Sequence, residues 1–574
     1  MRVWVSLLLA GLTGAYLPGV IPRDFEEFAP IELYVDKLDS AETQLPFDYY
    51  YLNFCKPDKV TKRPENLGQI LQGDRVENSP YEILMNKNET CKRLCPTKKN
   101  SKLDLENFRW MIENEYRSSW IMDNLPAGLR WTRVRESVAD SRRYSYYQDG
   151  FPIGYMEGDR YYVYNHIHII VKIYCTNRQE PEIPESPPST WRIVGFLVDP
   201  MSLRSEGGSD QCSTPAFKAF IEKTRNMEEE IANPSTVDWV PIQRFTNFDP
   251  FELEQHINFT YSVSFEESDT QWASRWDHYL YNGGKESKEV HWLSIVNSFA
   301  MVLFLSGMVA HILGRALRKD IARYNEHSDL DEVEETGWKQ VHGDVFRTPK
   351  YSGVLSLLIG AGVQLIGMCV FTLLFASLGF LSSAHRGGLI TTMLLLFVFM
   401  GVLAGYVSAR LYKLFGGEHW KRNTLGSAVF LPGGCFFVFF VVNLFLWGEG
   451  STGAVPFLHL LSILVLWIGI SVPLIFLGSA IGFKKPTITL PCKVSRIPKP
   501  MNLIPGTSKF TAISLMAGSL PFGCMFIELS YVMNSLWHHT LFYYFFGFLF
   551  LCFLVLVITS AEVSILLTYI LLCK

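Results

Sequence analysis

The sequence has no excess of charge of either sign: 52 Lys and Arg stand against 56 Asp and Glu, a formal net charge of −4. Nucleic-acid binding needs a concentrated basic surface to neutralise phosphates, and the charge balance gives no support for it. Cysteine is sparse, with 11 residues in 574, so the chain is not a disulfide-built miniature scaffold. The motifs of multipass enzymes are missing too: there is no HExxH, no DHHC, and no intramembrane GxGD or GxSG. Asp329-Leu330-Asp331 matches DxD, but it falls in a charged loop on the cytosolic side of the topology derived below, the wrong side for a lumenal glycosyltransferase. A non-enzyme without a cofactor or metal is expected. Charge is also unevenly spread along the chain. It fills the stretch from about Pro18 to Val290 and then, after Trp292, gives way to long apolar runs separated by short basic or glycine-rich loops.

Seven of those runs are long enough to cross a bilayer, which takes about 18 or more apolar residues. They are Trp292–Leu313, Gly353–Leu381, Gly388–Ala409, Leu425–Trp447, Val455–Ile481, Ala512–Leu536 and Leu541–Ile570. Loop charge orients them. Loops 314–352, 410–424 and 482–511 carry seven, four and six Lys or Arg residues, whereas the three loops on the other side contain only Arg386. Basic loops stay cytosolic, so the amino-terminal half is lumenal. The first residues agree with this orientation. Arg2, the apolar stretch Val3 to Leu12, and the small residues Gly11, Gly14 and Ala15 make residues 1–16 a signal peptide, too short to span. The expected fold is a multipass α-helical membrane protein with an amino-terminal β-rich lumenal domain at 17–290 and a helical bundle at 291–574.

In the lumenal half, Tyr162 to Ile169 alternates with period two, and Arg192 to Val198 and Ile257 to Phe265 read similarly as strands. Helices are expected at Leu103 to Tyr116 and Ala216 to Ile231. Sequons at Asn88 and Asn258 offer glycan acceptors. Five cysteines, Cys55, Cys91, Cys95, Cys175 and Cys212, allow at most two disulfides with one thiol left over. His166 and His168 would point to one face of a strand, and a polar, solvent-facing strand face is favoured over a metal site because no third ligand is indicated.

His311, Glu528 and Glu562 are ionisable residues within the predicted spans, where a charge costs about 2.5 kcal/mol or more and marks a functional candidate. His311 lies four residues from Arg315 and is expected at the cytosolic interface, and Glu562 is expected near that boundary as well. Glu528 has no opposite charge in its span. It fits either a hydrogen-bonded carboxyl in helix packing or a transport residue. Pro432-Gly433-Gly434, Pro473 and Pro521 can kink their helices.

Several segments together resemble the transmembrane 9 superfamily, the nonaspanins, and most of all its member-2-like branch. They include Ile31-Glu32-Leu33-Tyr34-Val35, Leu45-Pro46-Phe47-Asp48-Tyr49 and Glu65-Asn66-Leu67-Gly68. Trp272-Ala273-Ser274-Arg275-Trp276-Asp277, Gly337-Trp338-Lys339-Gln340-Val341-His342-Gly343-Asp344 and Leu520-Pro521-Phe522-Gly523-Cys524 extend the likeness along nearly the whole chain. The resemblance implies Golgi and endosomal membranes as the location, and a role in sorting and localising other membrane proteins. Membrane lipids and client multipass proteins would be its partners. Vesicle coat components would join them through a carboxyl-terminal retrieval signal, which is expected to be absent here because the family pattern has nine spans and this chain shows seven. The resemblance also implies that Cys55, Cys91, Cys95 and Cys212 form the two bridges, in one of three pairings, with Cys175 odd. A small-solute or ion transporter using Glu528 is the alternative reading.

Overall fold

The computed structural model describes residues 21–137, 140–177, 189–203, 240–241, 256–280, 288–326, 343–381, 385–494, 497, 507–537 and 545–573. The expected signal peptide, the expected helix at 216–231 and Cys212 lie outside them. Two larger β-sheets, beside three two-stranded ones among the described residues, build the amino-terminal domain. One contains β1 (Leu33–Asp39), followed in the chain by the short helix α1 (Leu67–Leu71). Next come β2 (Glu89–Arg93), α2 (Lys102–Glu113) and β3 (Arg117–Met122), with β3 pairing antiparallel with β1. The other sheet runs in the order β5 (Asp140–Asp149), β4 (Gly128–Ser137), β7 (Thr190–Met201), β6 (His166–Asn177), β8 (Thr260–Glu267), β2. Its β6–β8 pairing is parallel, with His166 opposite Thr260 and His168 opposite Ser262.

The period-two reading of residues 162–169 explains the core. Ile167, Ile169, Val171 and Ile173 alternate onto the inner face of β6 and join Val35, Leu38, Trp120, Phe196 and Val263 in one apolar cluster shared by both sheets. Helix α2 starts at a capping box, in which Ser101 accepts from the Asp104 N–H and Asp104 accepts from the Ser101 N–H. It buries Phe108, Met111 and Ile112. The disulfide Cys55–Cys95 joins Cα atoms 5.9 Å apart, and Cys91 is disulfide-bonded as well. Cys175 is free. Asn88 is exposed, while Asn258 is half-buried with its amide oxygen accepting from Thr97 Oγ1 at 2.6 Å.

A short helix, α3 (Asp277–Leu280), leads into the membrane part. Among the described residues, seven helices there are long and apolar enough to cross a membrane. They are α4 (Lys288–Glu326), α5 (Ser352–Ser377), α6 (Gly388–Leu414), α7 (Trp420–Gly448), a fifth built from α8 (Phe457–Val465) and α9 (Val472–Lys484), α10 (Thr507–Trp537) and α11 (Phe545–Cys573). The expected spans are therefore present, and the chain is a multipass α-helical membrane protein. Between α8 and α9 the residues Leu466–Ser471 adopt a π-helical turn just before Pro473. Proline supplies no N–H to the helical ladder, and the wider turn accommodates that missing donor.

Helices α5 to α9 pack closely through small residues. A Cβ added at Gly405 would collide with the Ile475 carbonyl and one at Gly478 with the Val402 carbonyl, while one at Gly360 would sit 2.9 Å from the Ala404 carbonyl oxygen. Without side chains at these points the helix backbones touch, which maximises dispersion contact where no hydrophobic effect drives association. Helices α4, α10 and α11 pack on one another, and α11 also packs on α5.

Candidate functional site

Two polar constellations stand out, one inside the bundle and one where it meets the amino-terminal domain. In the bundle, α4 directs two serines at its neighbours. Ser298 Oγ lies 2.5 Å from Glu528 Oε1 of α10 and 2.9 Å from the Cys524 carbonyl oxygen, and all three residues are buried. Ser306 of α4 is hydrogen-bonded to Glu562 of α11. The partly buried Glu562 thus has a hydroxyl partner on a neighbouring helix, which lipid cannot supply. His311 is exposed on α4, one turn before Arg315. A second polar layer joins α5, α6 and α7: Asn423 Nδ2 donates to Ser408 Oγ at 3.0 Å, while Ser356 and Ser427 donate to Asn423 Oδ1 and Ser408 Oγ at 3.1 and 3.0 Å. These contacts satisfy buried polar groups internally and fix helix register.

At the junction, the two short loops after α5 and α7 press against α1 and the turn that follows it. Arg386 Nη1 lies 2.9 Å from Asp36 Oδ2, whose side chain is 0% exposed. The Asn66 amide donates to the Arg386 carbonyl at 2.9 Å, and the Gly68 N–H donates to Thr391 Oγ1 at 3.0 Å. Arg75 reaches the Ala454 carbonyl at 3.2 Å, and Thr452 N and Ser451 Oγ both donate to the Pro46 carbonyl. Glycine is required on both sides of this seam. Gly387 sits at φ 66°, where a Cβ would also run into Asn66 and Gln69, and a Cβ on Gly68 would strike the Gly387 carbonyl. A cavity of about 170 Å³ remains beside the ion pair, walled by Arg63, Glu65, Asn66, Gln69, His385 and Arg386 among others.

The electrostatics here are strained. Asp36 also accepts from the Arg75 N–H at 2.8 Å, and beside it Asp74 is paired with Lys37 at 2.7 Å. Burial and the Asp74 carboxylate push Asp36 up to about 7, against the opposing pull of Arg386 and Lys37. Sequence reasoning noticed Arg386 only as the single cation in the loops on that side. That solitude was the available signal, since a lone charge at a membrane edge needs a counter-ion, but its partner lies 350 residues away.

His166 and His168 are the third notable pair, and the structure corrects their environment. They are buried, at 0% and 6% exposure, not on a solvent-facing strand. Hydrogen bonds to Thr260, Ser262 and Ser264 of β8 satisfy their ring nitrogens, so the pair zips two parallel strands together. Burial, with the neighbouring His168, pushes His166 down to about 3; burial and Arg130 push His168 down to about 4. Among the described residues no group of three or more potential metal ligands exists.

Against known proteins, the model of the family described as Endomembrane protein 70 matches residues 46–574. The chain belongs to this transmembrane 9 family. It is 42% identical over 572 residues to Transmembrane 9 superfamily member 10 of Arabidopsis thaliana, covering 98% of this chain and 84% of that protein. Human superfamily members 4 and 2 are 40% and 41% identical over 588 and 613 residues, each spanning 99% of this chain and 86% and 85% of theirs. No solved structure matches the chain. For this transmembrane 9 protein the relatives' names denote a membrane superfamily, not an enzyme.

Proposed function

We propose that this transmembrane 9 protein sorts and localises other membrane proteins in Golgi and endosomal membranes, with its amino-terminal domain in the lumen. One observation carries the reading. Gly307 and Gly314 of α4, Gly518 and Gly523 of α10 and Gly547 of α11 have open space where a Cβ would stand, although the glycines of α6 and α9 named above are sealed in contacts. Gly362 of α5 and Gly434 of α7 are open in the same way. Small residues left uncovered on a lipid-facing surface let the backbone of another transmembrane helix approach closely. Gly307 and Gly314 are seven residues apart, close to two turns, and so share one face of α4. The disulfides and the concentration of cationic loops at the end of the bundle remote from the amino-terminal domain support the lumenal orientation.

The test replaces Gly307 and Gly314 together by leucine in cells lacking the native protein. The expected outcome is a changed surface and Golgi abundance of a subset of multipass proteins, while the variant's own abundance, location and unfolding midpoint stay as in the parent. An unaltered membrane proteome with a well-folded variant would refute the reading.

A further inference from the structure

The cavity at the seam is lined by more hydrogen-bond donors than the protein uses. Its walls come from the stretch between Arg63 and Gln69, from Val76, from the end of β3 with Asn124 just beyond it, and from the loop between α5 and α6. Arg63 lies over the Tyr34 ring, 5.2 Å from its centroid, and among the described residues its guanidinium makes no hydrogen bond and no ion pair. Arg386 donates through Nη1 to Asp36 and, among the same residues, through no other side-chain nitrogen. Gln69 uses its amide oxygen, which accepts from the Asn66 N–H at 3.1 Å, while its Nε2 has no partner there. The Asn124 side chain has none either, on a turn residue at φ 63°. One carboxylate lines the cavity, and its oxygens are already engaged: Glu65 Oε1 accepts from the Val76 N–H at 2.6 Å, and Oε2 stands 3.8 Å from Arg75 Nη1. The walls therefore offer N–H groups and a cation without a free carboxylate to match them.

Size, access and position narrow the ligand. At roughly 30 Å³ for each water-sized group, a cavity of about 170 Å³ holds roughly five, enough for a tetrahedral oxyanion. Arg63 and His385 are exposed and form its rim, so a ligand can enter without the seam parting. Arg386 immediately precedes the Gly387-Gly388 step at which the membrane-crossing α6 begins, which sets the cavity at the level of lipid headgroups. Phosphates are concentrated in that layer, and a guanidinium pairs with a phosphate through two parallel N–H···O bonds. Water satisfies the amides singly but leaves the Arg63 charge without a counter-ion. The charge of Arg386 is shared with Asp36, Asp149 and Asp74, so Arg63 supplies the attraction for a ligand.

We propose that the seam cavity is a phosphate-binding site, in which Arg63 is the principal cation and the remaining N–H groups of Arg386, Gln69 and Asn124 orient the oxygens. The phosphate is carried either by a phospholipid of the leaflet facing the amino-terminal domain or by a soluble phosphate compound. Bound there it touches domain and bundle at once, and fastens the seam on a side that the Asp36–Arg386 pair does not cover. The site is independent of the sorting role.

The experiment uses the full 574-residue chain in an uncharged detergent. Dioctanoyl phosphatidic acid, dioctanoylglycerol and inorganic phosphate are titrated separately, with affinity read by calorimetry and stability by the unfolding midpoint. The phosphatidic acid should bind and raise the midpoint, whereas dioctanoylglycerol, which lacks only the phosphate, should do neither. Arg63→Gln, at an exposed side chain outside the ion pairs of the seam, should weaken binding about tenfold or more and Arg63→Lys less, with ligand-free midpoints as in the parent. Asn124→Gly removes the amide from a residue whose positive φ glycine adopts freely, and should weaken binding about threefold or more. Phosphatidic acid binding well beyond inorganic phosphate assigns the lipid as occupant; equal binding of the two assigns a soluble phosphate compound. No saturable binding of either phosphate would overturn the proposal, as would dioctanoylglycerol binding as tightly as the phosphatidic acid, or affinities unchanged in both Arg63→Gln and Asn124→Gly. The titrations of the parent chain remain decisive if a variant fails to fold.

Discussion

Removing Arg386 should unseat the amino-terminal domain from the bundle, and the damage should depend on pH in a direction fixed by Asp36. Arg386→Gln deletes the guanidinium 2.9 Å from a carboxylate with no exposed surface, while Asp74 and its negative charge stay in place. Breaking one side of a buried ion pair costs about 3–5 kcal/mol. Less is expected here, because an Asp36 that titrates near 7 can instead keep its proton, which costs at most about 1.4 kcal/mol at pH 8. With the small residual loss at low pH the penalty at pH 8 is about 1.5–2.5 kcal/mol, a fall in the unfolding midpoint of roughly 3–10 °C. In the parent, Asp36 titrates near 7, well above the 3.8 of an unfolded aspartate. Below about pH 6 it is neutral with or without Arg386, and the lost cation then matters little. Above 7 it is ionised in the parent, and the variant must either bury a charge without its counter-ion or hold a proton that the medium withdraws. The penalty should therefore shrink to under about 1 kcal/mol at pH 5.5 and grow toward pH 8. Scanning fluorimetry of the purified full chain, repeated at the two pH values, measures this directly. Equal losses at both would refute the reasoning, as would an Asp36→Asn/Arg386→Gln double variant no more stable at pH 8 than Arg386→Gln.

The histidine pair should act with the opposite pH dependence. His166 and His168 are held neutral in the fold, at about 3 and about 4, but take a proton near 6.5 when the chain unfolds. Stability should thus fall as pH drops below 6.5, by up to about 1.4 kcal/mol per pH unit for each ring, and His166→Gln with His168→Gln should flatten that slope between pH 6 and 4.5. An unchanged slope would show that other groups set it. Gly478→Leu should separate α6 from α9 and destabilise the bundle by more than the roughly 1–3 kcal/mol of ordinary overpacking, because the obstacle is the Val402 backbone carbonyl rather than a movable side chain. Gly362→Leu, made at an open position, should leave the midpoint within about 0.5 kcal/mol of the parent; equal effects from the two substitutions would contradict the packing described.

How far these features could be read in advance depended on the range of the interaction that creates each one. The seven spans follow from run length alone, and β6 from alternation, since both are local consequences of burying apolar side chains. Helix α2 announces itself through Ser101 and Asp104, three residues apart. The burial of His166 and His168 is not a local property. Polar residues alternating with isoleucine look the same whether water or Thr260 and Ser262 face them. The partner of Glu562 is a hydroxyl 256 residues earlier in the chain, and the Asp36–Arg386 pair depends on contact between loop and domain. Glu528 was recognisable as costly in lipid, but the arrangement that relieves the cost belongs to α4.

The Cys55–Cys95 disulfide encloses Asn66, Gly68, Asp74 and Arg75, most of the residues with which the amino-terminal domain grips the bundle. The gripping segment is therefore a closed ring. In chain-entropy terms, a loop with a sequence separation of 40 residues loses about 4 kcal/mol of freedom in the open state. The ring cannot wander far when its hydrogen bonds to the membrane loops break, so it remains beside the surface it has just left and rebinds from a small volume. The ring holds Asn66, Gly68 and Arg75 as one unit, while Asp36 of β1 and Pro46 grip the same membrane loops from outside it, so a covalently closed segment and a paired strand are coupled to one seam.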